Sequence, residues 1–291
     1  MLGLGQMTTA AAFYGSMGMW SVMMSDAFGA WSSGWVRATI VFVVMGVIGI
    51  CTKQFRRIEK GDLLWFGLLA ISGLVAIPYF FGFLLLGAGM GTVIFDIAMA
   101  IGGFLFARFL LKEKITLIKI ISLTIALIGV VIVYGVSFGS DTLLGGLMML
   151  LAGAVFQPLI LVSNKKLLKY SKIQQVIANF VGIFVVCLPL SFVFHDTLPA
   201  FSDTNLLPWI AVTAFAGVNI GAMYFRICSL KHLNISVVVL VGLLEIVFGV
   251  LFGVLFLGES FTARIGVGIA VIIIGLALET TMLLIAKKRK T

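Results

Sequence analysis

The sequence predicts an all-α membrane protein of ten transmembrane helices, arranged as two inverted five-helix repeats. Three observations carry this reading. The first is composition: 62% of the 291 residues are hydrophobic, 11% are charged, and the mean hydropathy is +1.22. A soluble domain carries about 25% charged residues, so this chain cannot build a water-facing shell. The second is a series of long apolar runs, each near the roughly 20 residues needed to cross about 30 Å of hydrocarbon. The third is an internal echo. Residues 111–116, Leu-Lys-Glu-Lys-Ile-Thr, return as residues 257–262, Leu-Gly-Glu-Ser-Phe-Thr, and the same offset of 146 carries Gly103 onto Gly249 and Ile128-Gly129 onto Ile274-Gly275. With five spans in each half, an odd number, the halves insert in opposite senses. Inverted repeats of this kind build many secondary transporters.

The spans follow in order. Span 1 (7–24) has no Lys or Arg before it, so it lacks the positive start of a cleavable signal and is expected to stay as a span. Span 2 (34–51) carries Arg37 near its start and leads to the first basic link. Spans 3 (63–85) and 4 (89–110) are separated only by the stretch Gly87 to Gly91. Span 5 (115–135) carries Ile128-Gly129, and span 6 (142–163) carries Gln157-Pro158. Spans 7 (173–194) and 8 (205–227) precede span 9 (234–257), which holds Glu245. Span 10 (262–285) ends at a basic tail. None of these runs alternates, which excludes a barrel and leaves helices. The repeats are assigned to residues 1–137 and 138–291.

The net charge of +9 sorts by link rather than forming a nucleic-acid surface. Lys and Arg cluster after span 2 (Lys53, Arg56, Arg57, Lys60), around the span 4–5 link (Arg108, Lys112, Lys114, Lys119) and around 165–172. They also cluster at Arg226 and Lys231 and in the tail Lys287–Lys290, making 18 of the 20; the alternate flanks hold only Arg37 and Arg264. The positive-inside rule then puts both termini in the cytoplasm. Cys51, Cys187 and Cys228 are scattered packing residues. His195 and His232 have no second ligand at metal spacing, so neither a metal nor a cofactor is expected.

Three features mark a resemblance. They are the links Glu113 with Thr116 and Glu259 with Thr262, the Gly-rich repeat ends Ile128-Gly129 and Ile274-Gly275, and the run Tyr224 to Leu240. In these the chain resembles the drug/metabolite transporter superfamily, of the ten-span kind with two EamA-type repeats, over nearly its whole length. The Tyr79 to Asp96 junction departs from the pattern, with Gly87 to Gly91 in place of a polar link. The resemblance implies a cavity lined by spans 1, 3, 4, 6, 8 and 9. It also implies alternating access, a small organic substrate such as an amino acid or amine, and a place in the bacterial inner membrane, as a monomer among lipids. A lipid flippase or scramblase is the alternative within the superfamily.

Polar residues inside the spans are the candidate site. Glu245 falls near the bilayer midplane, and Asp96 lies about 10 Å from the outer end of span 4 at 1.5 Å per residue. Charges at such depth are expensive and usually functional. Glu245 is expected either to carry protons or to meet a cationic substrate, and its bland reading is a helix-packing partner. Asp96 has the same two readings, with an ion pair to Arg37 as the structural one, fixing the outer face or gating it. Tyr14, Trp20, Tyr79 and Tyr224 offer faces for a cation or a ring, although Trp and Tyr also belt both interfaces. Asn219 and Gln157 suit substrate contact or interhelical hydrogen bonds. Pro78 and Pro158 are expected to kink spans 3 and 6. Glu113 and Glu259 are expected to cap the spans that follow them, and Arg226 to snorkel toward the headgroups. An enzyme is disfavoured, because no intramembrane Ser/His pair or paired-aspartate motif is found. An ATP-driven pump would need a Gly-x-x-x-x-Gly-Lys-[Ser/Thr] loop that the chain lacks.

The charge pattern makes a direct prediction. In a variant freed of its native cysteines, single cysteines at positions 56 and 166 will react with a membrane-impermeant thiol reagent only from the cytoplasmic side. Labelling from outside would overturn the topology.

Overall fold

The computed structural model describes residues 1–24, 27–135, 142–200 and 205–288. The repeat boundary at 137–138 and the tail charges Arg289 and Lys290 lie outside the described residues. Every regular element among them is helical, as lipid demands of a backbone that must satisfy its own hydrogen bonds. In chain order the helices are α1 (Leu2–Met24), α2 (Ala30–Cys51), α3 (Leu63–Ile71), α4 (Ala76–Leu110), α5 (Leu117–Tyr134) and α6 (Thr142–Leu151). They continue as α7 (Gln157–Lys166), α8 (Lys172–Val193), α9 (Leu207–Ser229), α10 (Ile235–Gly242), α11 (Leu244–Leu257) and α12 (Ala263–Lys288). Nine segments among the described residues are long and apolar enough to cross a membrane: 30–51, 60–86, 90–110, 117–134, 143–166, 172–193, 207–229, 235–257 and 263–281. The tenth is α1, whose 23 residues are diluted by Gly, Ala and Thr but pack lengthwise against spans 8 and 9. Large side chains such as Leu84, Leu143 and Phe109 are left more than 70% exposed on the outside of the bundle, where lipid would cover them.

Three spans are irregular, and one helix reverses. In span 3 the helix tightens to a 3-10 turn over Ser72–Val75, just ahead of Pro78, which has no N–H to reach the carbonyl at Leu74. In span 6 it widens to a π turn over Ala152–Phe156, just ahead of Pro158, which cannot bond Ala154. Span 9 tightens for one turn at Leu243, between α10 and α11, with Leu243 N donating to Leu240 O at 3.2 Å and Ile246 N to Leu243 O at 3.2 Å. Helix α4 doubles back on itself. Tyr79 and Phe95 would be about 24 Å apart on a straight helix, yet their rings lie 5.0 Å apart, and Gly82 and Gly91 both abut Met149. The reversal separates span 3 from span 4 at the Gly-rich stretch.

The two repeats are related residue by residue. Span 4 ends with Lys112 at φ 55° and span 9 with Gly258 at φ 70°, each 146 residues from the other. The next N–H, of Glu113 or Glu259, bonds the carbonyl six residues back, at Ala107 (3.0 Å) or Gly253 (3.2 Å). A left-handed residue at this place is a common helix terminator, and Lys112 accepts a conformation that normally favours glycine. Spans 5 and 10 meet reciprocally. A Cβ on Gly129 would meet Gly268 and Ile272, and one on Gly275 would meet Ser122 and Ala126, the positions 146 residues earlier. Such self-complementary contact marks a two-fold axis. Span 1 on span 8 likewise mirrors span 6 on span 3.

The polar links 52–62 and 164–172 clasp one another on one face, termed inner. Lys169 bridges Glu59 and Asp62, both at 2.7 Å, the Tyr170 hydroxyl donates to Asp62 at 2.7 Å, and Gln174 Nε2 donates to the Arg56 carbonyl at 2.6 Å. The hydrogen bonds from Lys169 and then from Tyr170 hold the half-buried Asp62 carboxyl below its usual range, and those to Asp62 and Glu59 raise Lys169.

Two-fold packing predicts matched costs. Gly129→Val and Gly275→Val will each lower stability by about 1–3 kcal/mol through overpacking, read as falls in Tm of the detergent-solubilised protein. Gly46→Val, where a Cβ meets nothing within 4 Å, will leave Tm nearly unchanged. A large loss at only one of the paired glycines would break the symmetry argument.

Candidate functional site

Five side chains from five spans face the middle of the bundle. Glu245 lies in the first turn of α11, directly after the tight turn at Leu243, and is partly accessible. Its position is set by span 1: Gly15 sits so close that a Cβ would come within 2.6 Å of the Glu245 carbonyl and 2.7 Å of Gly249 N. Asp96, on span 4, is 3% exposed, and its Oδ2 has no hydrogen-bond partner. Glu245 is the charged group nearest to it in effect, and Glu245 in turn lies within electrostatic reach of Arg226. The Arg226 guanidinium stands over the Tyr14 ring at 5.2 Å, while its Nε and the Tyr14 hydroxyl are both buried without partners. Tyr79 completes the wall through edge-on contacts with Phe95 at 5.0 Å and Phe83 at 4.6 Å. It feels the charges of Asp96 and Glu245.

Arg226 does not snorkel. It is 7% exposed, and its side chain runs from the inner end of span 8 toward mid-membrane, where the tyrosine face and the Glu245 charge receive it. Glu245 therefore has a cation in its neighbourhood. Neither does Arg37 pair with Asp96. Its Nε donates to its own helix at the Ser33 carbonyl, 3.0 Å away, and its guanidinium covers Phe215 at 4.1 Å, because spans 2 and 8 are neighbours there.

The remaining candidates lie apart from this group. Trp20 packs in an apolar cluster with Met24, Phe28 and Phe215 at the outer ends of spans 1, 2 and 8. Tyr224 is 38% exposed, beneath Lys172 at 5.3 Å. Asn219 Nδ2 donates to the Phe215 carbonyl of its own helix at 2.8 Å. Gln157 is half-buried at the end of the π turn, and Pro158 and Pro78 sit at the irregularities already described. Glu113 does not cap span 5, which starts at Thr116 without a side-chain bond. Its carboxylate instead accepts from Ile235 N (2.8 Å), Ser236 N (3.2 Å) and Ser236 Oγ (3.0 Å), capping span 9 from 122 residues away. Glu259 does not cap span 10 either. It is exposed, and the Thr262 hydroxyl takes that role by accepting from Ile265 N at 3.3 Å.

Unpartnered buried polar atoms are uncommon in native proteins and ask for an explanation. Three of them, on Tyr14, Asp96 and Arg226, fall together beside Glu245. Two carboxylates, one guanidinium and two phenols can receive a small polar molecule bearing charge.

The comparisons with known proteins agree with this architecture. The model of the EamA-like transporter family matches the chain twice, over residues 1–135 and 143–281. An uncharacterized transporter of Clostridium kluyveri is 28% identical over 252 residues, covering 81% of this chain and 78% of that protein. A solved crystal structure shares the fold with a TM-score of 0.79 at 16% identity, covering 96% of this chain and 98% of the other. The double match spans nearly the whole sequence, and the chain belongs to the EamA-like transporter family, within the drug/metabolite transporter superfamily.

Proposed function

We propose that the protein is a secondary active transporter that carries a small amine or amino acid by alternating access, with Glu245 as the coupling or substrate-binding carboxyl. The observation that supports this reading is the group of buried polar atoms without partners around Glu245, drawn from both repeats. In an interior without water such groups are retained where a ligand completes them. Arg226 and Tyr14 suit a substrate carboxylate, with the guanidinium donating. Asp96 and Glu245 suit an ammonium, and Tyr79 offers its ring to the substrate's side chain or cationic end. The tight turn ahead of Glu245 and the π turn in span 6 give both repeats a place to bend. The excess of Lys and Arg on the inner links supports a cytoplasmic setting for that face and both termini.

Purified protein screened by thermal shift against amino acids, amines, nucleosides and drugs will be stabilised by amino acids or amines, since a ligand that binds only the native state raises Tm. Glu245→Gln will fold but lose net coupled transport in liposomes. If protons couple, the variant will still exchange substrate while ignoring a pH gradient. If the carboxylate meets the substrate directly, affinity will fall at least tenfold, about 1.4 kcal/mol. Normal uptake with unchanged affinity under a pH gradient would make Glu245 structural.

A further inference from the structure

We propose that Glu113 and Glu259 are paired latches that close the inner and outer faces alternately, and that this structure has the inner latch shut and the outer one released. The proposal rests on the alternating-access reading and adds to it the groups that hold each face.

The inner latch is built on the first turn of span 9. Glu113 accepts from Ile235 N, Ser236 N and Ser236 Oγ, and the same hydroxyl receives the Lys119 ammonium at 2.8 Å. Lys165 binds the carbonyls of Leu230 and Leu233 at the span 8–9 turn. Span 5, the inner end of α7 and the span 4–5 link thus all hold the inner end of the span 8–9 hairpin. Every residue of α10, from Ile235 to Gly242, is buried, whereas in α11 only Ile246 and Gly253 are.

The offset of 146 gives this latch an outer counterpart. Glu113 maps onto Glu259, and Ile235 and Ser236 map onto Gly89 and Met90, the start of span 4. The backbone around the two glutamates is equivalent, with a left-handed residue before each and the same bond six residues back. The side chains differ. Glu113 is half-buried and bonded, while Glu259 is exposed and folded over Gly253, and among the described residues no hydrogen bond reaches its carboxylate. Two equivalent groups in unlike states within one chain are what an inverted-repeat machine shows at one end of its cycle. At the other end Glu259 takes the N–H groups opening span 4, and Glu113 lets go of span 9. A carboxylate is favoured at the helix N-terminus that opens span 9. Lys119 maps onto Ile265, so the outer latch lacks the lysine and is the weaker of the two.

The test uses the full-length protein in nanodiscs with its native cysteines replaced. Spin-label pairs are placed at Lys114 and His232 on the inner face, and at Leu84 and Ser260 on the outer, and distances are measured by double electron–electron resonance. Glu113→Ala will shift the population ratio toward a longer inner and shorter outer distance by about fivefold, the ratio that about 1 kcal/mol of capping energy commands. Glu259→Ala will shift it the other way. Ser236→Ala, a milder change at the same latch, will move it as Glu113→Ala does but less. The proposal is overturned if Glu113→Ala leaves both distributions unchanged, or if the two glutamate variants move them in the same sense. If neither face shows two states in any protein tested, the unsubstituted chain included, alternating access itself fails. If the faces exchange in opposition but ignore Glu113, the latch alone fails.

Discussion

Inside a bilayer a polar group has no water to fall back on, and this constraint organises the whole structure. It makes each span a helix, and where proline removes a donor it produces the 3-10 turn before Pro78 and the π turn before Pro158. It also confines the ion pairs seen among the described residues to the inner links, where Lys169 meets Glu59 and Asp62 in reach of water. Against that background the unsatisfied atoms on Tyr14, Asp96 and Arg226 are conspicuous. Their clustering beside one carboxyl is what makes this group the candidate site.

Much of the fold was legible in the sequence because hydrophobic length and loop charge are local properties. The spans, the Gly-rich reversal between spans 3 and 4, and the inverted halves all follow from counting along the chain. The repeat was readable from a Glu, a Thr and two glycines, and one of those glycine pairs, Gly129 and Gly275, sits at the close crossing of spans 5 and 10 where the geometry restricts the side chain. Depth along a span was readable too, which is why Glu245 and Asp96 stood out. Direction was not. Arg226 lies near a helix end in sequence, and nothing local says that its long side chain turns inward onto Tyr14 instead of outward to the headgroups. Arg37 and Asp96 share an outer flank, but spans 2 and 4 are not neighbours at that level, and Phe215 takes the guanidinium. Glu113 found its partners 122 residues away, beyond the reach of any capping rule written in local spacing.

Symmetry of fold and asymmetry of state coexist in this molecule. The span 5–10 contact is reciprocal to the residue and belongs to the part of the bundle that the two-fold axis crosses. Span 9 is tightly packed in its inner half and looser in its outer half. A close-packed crossing beside the looser outer half of span 9 suits the alternating access proposed above.

The composition of the central group has a consequence for how the protein is made. Tyr14, Tyr79 and Asp96 belong to the first repeat, and Arg226 and Glu245 to the second. During synthesis Asp96 enters the membrane well before the span that brings Arg226 exists, and Arg226 in turn enters while Tyr14 is already in place to receive it. The order of emergence from the ribosome therefore supplies an aromatic surface for the guanidinium at the moment it leaves water.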